Sequence, residues 1–396
     1  MMTHLLNREK ISLDAEIEKI VAAYSASNQE ELTGEFLNVI KTSEVVKILD
    51  ENRDCGFGAL RNVLHVCLRL GKIDTSLAWV VGVSNAAWSM QSCFHSLGDA
   101  ILEMDRNKIM AMVLGRPGLL KKDKGSDNYL LTGEWKYASG WRYASFFFCL
   151  ATIEGVDSKT IRVVAVPSKH LELAGDWRAT GLRGTQSVTV RANNVSIPGN
   201  YIENYSSILS GEYRKNNVSV GNKKQISYAG LFTGVLMNCL LGSILGATEA
   251  ALEYVVTAVG KSPVAGSTYA IMGDSGAIRA EIGRISGALD LYKRAAEYNA
   301  DIIDKAAYDP TITLSVHDRV SNRARATLIM RGCVNIIQDL LWIYGSSGLD
   351  KGCVLEKIWR DVNVGARHGG FSKLVPEEAL GLSVIGRDPK DITLMF

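Results

Sequence analysis

From Ile11 to about Met110, apolar side chains recur every three or four residues, as in Phe36, Val39 and Ile40 and then Val45, Val46 and Leu49. That spacing predicts helices throughout the segment. The run from Trp79 to Trp88 is apolar on nearly every side and predicts a helix buried in the core. Between about Ala111 and Ser207 the pattern changes to short β-branched and aromatic runs, at Tyr129–Thr132, Phe146–Thr152, Ile161–Val166 and Ser187–Val190. Turn-forming clusters such as Lys124-Gly125-Ser126-Asp127-Asn128 separate these runs, which predicts a small β domain. Long helical patterns then return at Ile226–Val259, Gly273–Lys305 and Val316–Tyr344, each well beyond the average helix of about 11 to 12 residues. Helices of that length pack as a bundle, and small residues such as Gly242, Gly246, Ala247, Ala250 and Ala251 allow close approach. The expected organisation is a helical domain over residues 1–110, a β domain with a polar connecting loop over 111–225, and a helical bundle over 226–396.

Charge narrows the partners. Lysine and arginine number 44 against 42 aspartates and glutamates, with no long basic run, so no nucleic-acid footprint is present. The seven cysteines are an odd number without metal-ligand spacing, which reads as reduced, mostly buried thiols and no metal site. The first ten residues lack a basic end followed by an apolar stretch, and the apolar segment from Ile226 to Ala247 carries enough Gly, Ser, Thr and Asn to suit a buried helix. A cytoplasmic protein with no membrane association is expected. The chain lacks a G-x-G-x-x-G fingerprint, a phosphate loop and an H-E-x-x-H motif. Near its end, in contrast, His368 follows the triplet Trp359-Arg360-Asp361, and histidine is one of the few side chains that exchange a proton near neutral pH.

Helices, then a β domain, then a long-helix bundle is the order of the acyl-CoA dehydrogenase fold. Four segments carry a closer likeness: Asp74–Val83, Leu131–Gly140, Thr180–Ser187 followed by Val195–Pro198, and Trp359–His368. With these the chain resembles the oxygenase components of two-component flavin-dependent monooxygenases built on that fold. The resemblance implies an α+β, mainly α architecture, with an N-terminal helical domain, a central β-barrel or sandwich and a C-terminal four-helix bundle. It also implies reduced FMN or FAD delivered by a separate NAD(P)H-dependent reductase, a C(4a)-hydroperoxide that oxygenates a small organic substrate, free or carrier-bound, and a homotetramer. Such chemistry requires a dry site, because water access promotes loss of hydrogen peroxide.

The resemblance also assigns roles, each weighed against an ordinary structural one. His368 falls where the family carries a histidine over the flavin; otherwise it is a helix-end histidine. Ser139, before Gly140, matches a serine that donates a hydrogen bond near flavin N5; otherwise it is a turn residue. Trp135 shields the ring edge or belongs to the core, and Arg183 meets phosphate or caps the β domain. Arg360 reaches a phosphate or pairs with Asp361 or a neighbouring helix. Ser346 and Ser347 offer groups to phosphate or end a helix. Ser84, Asn85 and Trp88 are candidates for the substrate pocket; Ser84 stands where several phenol-hydroxylating members have a histidine, which weakens the case for a phenol.

Three other readings stay open. An acyl-CoA dehydrogenase needs a carboxylate base, but the commonest position falls by count on Gly369, and no Asp or Glu occurs between Tyr213 and Thr248. An N-oxygenase of an amine or amino sugar keeps the family and changes the target atom. A flavin-binding subunit without turnover is the non-enzymatic alternative.

Overall fold

The computed structural model describes residues 13–24, 34–50, 57–91, 93–94, 97, 107–210, 227–309 and 311–396. The polar connection expected over 211–225 and Cys55 lie outside them. The N-terminal helices are α1 (13–24), α2 (Gly34–Thr42), α3 (Ala59–Gly71) and α4 (Thr75–Gln91). Every residue of α4 is buried, as a helix apolar on all sides requires. Its first turn is capped by Asp74, whose carboxylate accepts the Leu77 N–H at 2.8 Å.

Seven strands follow, β1 (Met110–Lys122), β2 (Tyr129–Ala138), β3 (Phe146–Ile153), β4 (Arg162–Pro167), β5 (Glu172–Gly175), β6 (Val188–Ile197) and β7 (Ile202–Asn204). They form one sheet in the order β5-β6-β2-β1-β3-β4-β7, with β1 and β3 parallel and the other pairs antiparallel. Strand β1 escapes the sequence pattern because Gly115-Arg116-Pro117-Gly118 interrupts it. The sheet absorbs the interruption as a register shift between Val113 and Gly118.

A short helix α5 (Tyr205–Ser210) leads to the bundle of α6 (Phe232–Val259), α7 (Gly276–Tyr308) and α8 (Val316–Tyr344), with α9 (Val354–Gly365) and α10 (Val375–Val384) packed on it. Among the described residues α6 and α8 are long and apolar enough to cross a membrane; 83% of the α6 window is buried inside the protein, which marks it as the core helix. The small residues of α6 let α3 pack backbone against backbone: a Cβ on Gly246 would lie 2.0 Å from the Leu68 carbonyl oxygen. Across the bundle, Asn238 donates to Asn322 at 3.0 Å, and Asn322 and Asn299 exchange side-chain to carbonyl hydrogen bonds at 2.9 and 3.0 Å. This ladder pairs the buried Asn299 and Asn322 amides and the Asn238 Nδ2, while the Asn238 Oδ1 has no partner among the described residues.

Sheet and helices are locked together by one ionic network. Asp361 accepts the Leu182 N–H at 2.6 Å and Lys357 at 3.0 Å, Lys357 also reaches Asp74 at 2.9 Å, and Tyr24 donates to Asp74 at 3.2 Å. Burial raises the Asp361 carboxyl above its ordinary value, against the pull of Lys357 and the Leu182 N–H. Burial alone would depress Lys357, but Asp74 and Asp361 outweigh it and hold the ammonium well above its ordinary value. The close contact here requires glycine: a Cβ on Gly181 would lie 2.2 Å from the Arg360 carbonyl oxygen.

Candidate active site at the seam of sheet and bundle

Two turns flank α4 at the seam. One follows α9 and carries His368; the other follows β2 and carries Ser139 and Gly140. The imidazole of His368 lies edge-on to Trp79 of α4, with ring centroids 5.7 Å apart, and tilted against Phe371 at 6.0 Å. Nδ1 accepts the Gly370 N–H at 3.2 Å, so the neutral ring carries its proton on Nε2, which has no partner among the described residues. Burial, and then the guanidinium of Arg323, push the imidazole down to about 4. His368 is therefore neutral at physiological pH.

On the other side, Gly140 adopts φ +76° with Val80 of α4 beside it, and its N–H donates to the Thr185 carbonyl at 2.9 Å. Three hydroxyls form a file: Ser139 to Ser187 at 2.6 Å, Ser187 to Thr185 at 2.6 Å, and Thr185 to the Leu182 carbonyl at 2.7 Å. Three oxygen–oxygen contacts this short need three protons, and the carbonyl at the end has none to give. Ser139 thus donates to Ser187, Ser187 to Thr185 and Thr185 to Leu182. In this arrangement Ser139 offers lone pairs toward a ligand, whereas the resemblance implied a donor.

Beside this file stands an aromatic pair, Tyr137 and the half-buried Trp177, with centroids 5.5 Å apart; Tyr137 is 65% exposed. The Trp177 indole donates to the Leu182 carbonyl at 3.0 Å. Arg183 is exposed on the 3₁₀ turn Arg183–Thr185, and its guanidinium has no hydrogen-bond partner among the described residues. Two buried indole N–H groups lack acceptors among the described residues: Trp141, immediately after Gly140, and Trp359 on α9. Unsatisfied donors, a hydroxyl acceptor, an exposed cation and aromatic faces suit a planar heterocycle rich in carbonyl and N–H groups, which is the chemistry of a flavin.

Other expected residues lie elsewhere. Trp135 is 1% exposed, donates to the Leu150 carbonyl at 3.0 Å and packs on Phe147; of its two roles, the core one describes it. Ser84 donates to the Val46 carbonyl at 2.7 Å and accepts the Met110 N–H at 3.1 Å. Asn85 bonds the Val45 and Val81 carbonyls and the Leu49 N–H, and Trp88 donates to the Lys108 carbonyl. All three are buried, and their polar atoms are bonded to backbone groups, the ordinary structural role. Arg360 pairs with Glu356, not Asp361, at 2.6 and 3.0 Å, and it donates to the Thr180 carbonyl at 2.6 Å. It clamps the β domain to α9. Ser346 and Ser347 border a groove of about 790 Å³ with Trp342 and Pro263. They lie beyond the far end of α8, roughly 30 Å from Arg323 at 1.5 Å per residue, so one chain does not bring them to His368.

Sequence reasoning missed Trp79 as a neighbour of His368, and Tyr137, Trp177, Thr185, Ser187 and Arg323. Among these, Thr185 and Ser187 carried a local signal, as hydroxyl residues two apart within the Thr180–Ser187 segment.

Comparison with known proteins agrees with this architecture. Residues 239–373 match the family model described as acyl-CoA dehydrogenase, C-terminal domain. The oxygenase component of the FADH(2)-dependent resorcinol hydroxylase of Rhizobium sp. (strain MTP-10005) is 24% identical over 349 residues, 84% of this chain and 82% of that protein. Among solved structures, XiaF from Streptomyces sp., in complex with FADH2 and glycerol, superposes with a TM-score of 0.86 at 21% identity, covering 97% of each chain. The dibenzothiophene monooxygenase of Paenibacillus sp. A11-2 gives 0.78 at 15% identity over 95% of this chain and 97% of that one. The chain has the acyl-CoA dehydrogenase fold. Its likeness is to the oxygenase components of two-component flavin-dependent monooxygenases, as its four sequence segments indicate.

Proposed function

We propose that the protein is the oxygenase component of a two-component flavin-dependent monooxygenase, which uses reduced FMN or FAD from a separate reductase to place one oxygen atom of O2 into a small organic molecule. The observation that carries this reading is the neutral His368, whose Nε2–H is unpartnered among the described residues. Reduced flavin, when bound, supplies the electrons that activate dioxygen. Ser139 and the exposed Arg183 would hold it on the sheet side, with Tyr137 and Trp177 as apolar walls. His368 would offer its Nε2–H as a hydrogen-bond donor to a bound ligand, and because its ring titrates near 4 it does not release a proton into the site at neutral pH. Trp79 and Phe371 pack against that imidazole and reduce its contact with water.

The dehydrogenase alternative is disfavoured by its missing base. Gly369 has no side chain to offer, and Glu249, the first carboxylate on α6, pairs with Lys293 at 3.2 Å. The buried Asp74, Asp304 and Asp361 are each committed to structural partners.

A homotetramer in the cytoplasm completes the proposal. Apolar side chains exposed on α7 and α8, among them Leu291, Leu328 and Trp342 at 87% exposure, support assembly. Ser346 and Ser347 would then serve a flavin held by a neighbouring protomer.

The test is oxygen labelling. With reduced flavin regenerated by a reductase under 18O2, one member of a panel of resorcinols, sulfur heterocycles and amines gains a single 18O. Anaerobic bleaching of oxidised flavin by an acyl thioester would instead establish the dehydrogenase.

A further inference from the structure

The seam depends on a buried cation that none of the sequence motifs singled out. Arg323, on α8, is 3% exposed. Its Nε donates to the Gly370 carbonyl at 3.0 Å and its Nη1 to the Met395 carbonyl at 2.6 Å. Gly370 is also the residue whose N–H donates to Nδ1 of His368. One peptide unit on each side of a single α-carbon is therefore pinned, one by the guanidinium and the other by the imidazole.

We infer that Arg323 is a positioning residue for His368, acting through Gly370 to fix which imidazole nitrogen faces the seam. The inference rests on the reading of His368 given above. The chemistry is direct. A guanidinium presents its N–H groups in a rigid planar fork, so holding two carbonyls with it orients the turn that bears Gly370. With that turn held, the Gly370 N–H occupies the Nδ1 lone pair, and the neutral proton must reside on Nε2. The groups around the ring are Trp79 and Phe371 in contact, Met237 of α6 against Gly370, and the charge of Arg323 from α8; no carboxylate contacts the imidazole among the described residues. The same cation that orders the turn thus opposes a second proton on the ring. Binding of Met395 by the same fork ties the segment after α10 to this turn.

Solid-state 15N NMR of histidine-labelled, flavin-free protein tests the assignment, with the His368 signal identified by its loss in His368→Gln. The wild type should show the neutral Nε2–H tautomer from about pH 5.5 to 8. In Arg323→Met both neutral tautomers should appear, and the titration midpoint should rise. Arg323→Lys keeps the charge and loses the fork, so it should mix tautomers while titrating low. A wild-type Nδ1–H tautomer, or variants with unchanged tautomer and midpoint, would overturn the inference; if Arg323→Met does not fold, the wild type and the lysine variant decide. Because no flavin is present, the outcome is separate from that of the oxygenation reading. Should His368→Ala leave oxygenation intact, the catalytic role falls and the NMR result stands.

Discussion

His368 meets the edge of Trp79 at 5.7 Å between centroids, across the gap between the last bundle turn and the buried helix that also supports Gly140. This contact makes α4 the shared wall of both halves of the site. It also explains why an N-terminal tryptophan, far away in sequence, governs the surroundings of a C-terminal imidazole.

Removing the imidazole should uncouple the reaction without emptying the site. For His368→Ala the rate of oxygenated product formation should fall by about 10²- to 10³-fold, the usual worth of one preorganised hydrogen-bond donor in an active site. Reduced flavin should still consume oxygen, now released as peroxide. Product and peroxide measured in the same reaction check this; an unchanged ratio would contradict it.

Acid should weaken the fold through the same residue. The folded ring binds its proton only near pH 4, whereas an unfolded histidine does so near 6.5. The unfolded state therefore holds more protons between those values, and stability is lost as pH falls from about 6.5 to 4. Asp304, raised by burial to about 6, has the opposite slope, since its folded form holds the extra proton. Comparing wild type with His368→Gln removes that background. Between pH 7 and about 4.5 the wild type should lose about 2 kcal/mol more in urea unfolding. Equal losses would show that the ring is not desolvated.

The hydroxyl file makes a prediction about polarity. Reduced flavin carries an N–H at N5 where oxidised flavin has only a lone pair, and Ser139 is set to accept. Wild-type protein should bind reduced flavin about tenfold more tightly than oxidised, which is about one hydrogen bond. Thr185→Val leaves Ser187 without its acceptor and frees Ser139 to donate, so the preference should shrink to within about threefold. Anaerobic titrations with both redox forms measure it; a preference unaffected by the substitution would show that the file does not set it.

Breaking the Lys357 network should be costly to the whole fold. Lys357→Met leaves Asp74 and Asp361 buried without their shared cation, for a loss of about 3 to 5 kcal/mol. Adding Asp361→Asn should recover part of it. A double variant no better than the single one in denaturant unfolding would mean that the two groups are not coupled.

Much of this architecture was legible because it is periodic. Val316–Tyr344 was expected with both of its observed ends from its long helical pattern. Strand β1 was not, because its Gly and Pro read as a loop until the sheet supplies a bulge. In the site, His368 stood out by residue type and place. The backbone partners of Ser84, Asn85 and Trp88 were not legible, because a polar residue on a buried helix looks the same in sequence whether a ligand or a backbone carbonyl satisfies it. Arg323 was illegible for the opposite reason: its partners, Gly370 and Met395, are backbone groups 47 and 72 residues away, and a carbonyl leaves no mark on sequence.

The most direct test of a neutral imidazole guarding oxygen chemistry is a rapid-mixing experiment in which protein loaded anaerobically with reduced flavin meets dioxygen, with oxygen uptake and peroxide release followed together. The account predicts that uptake precedes release by a clear delay, and that His368→Ala abolishes the delay. Peroxide appearing in step with oxygen uptake in the wild type, or a delay that survives the substitution, would contradict it.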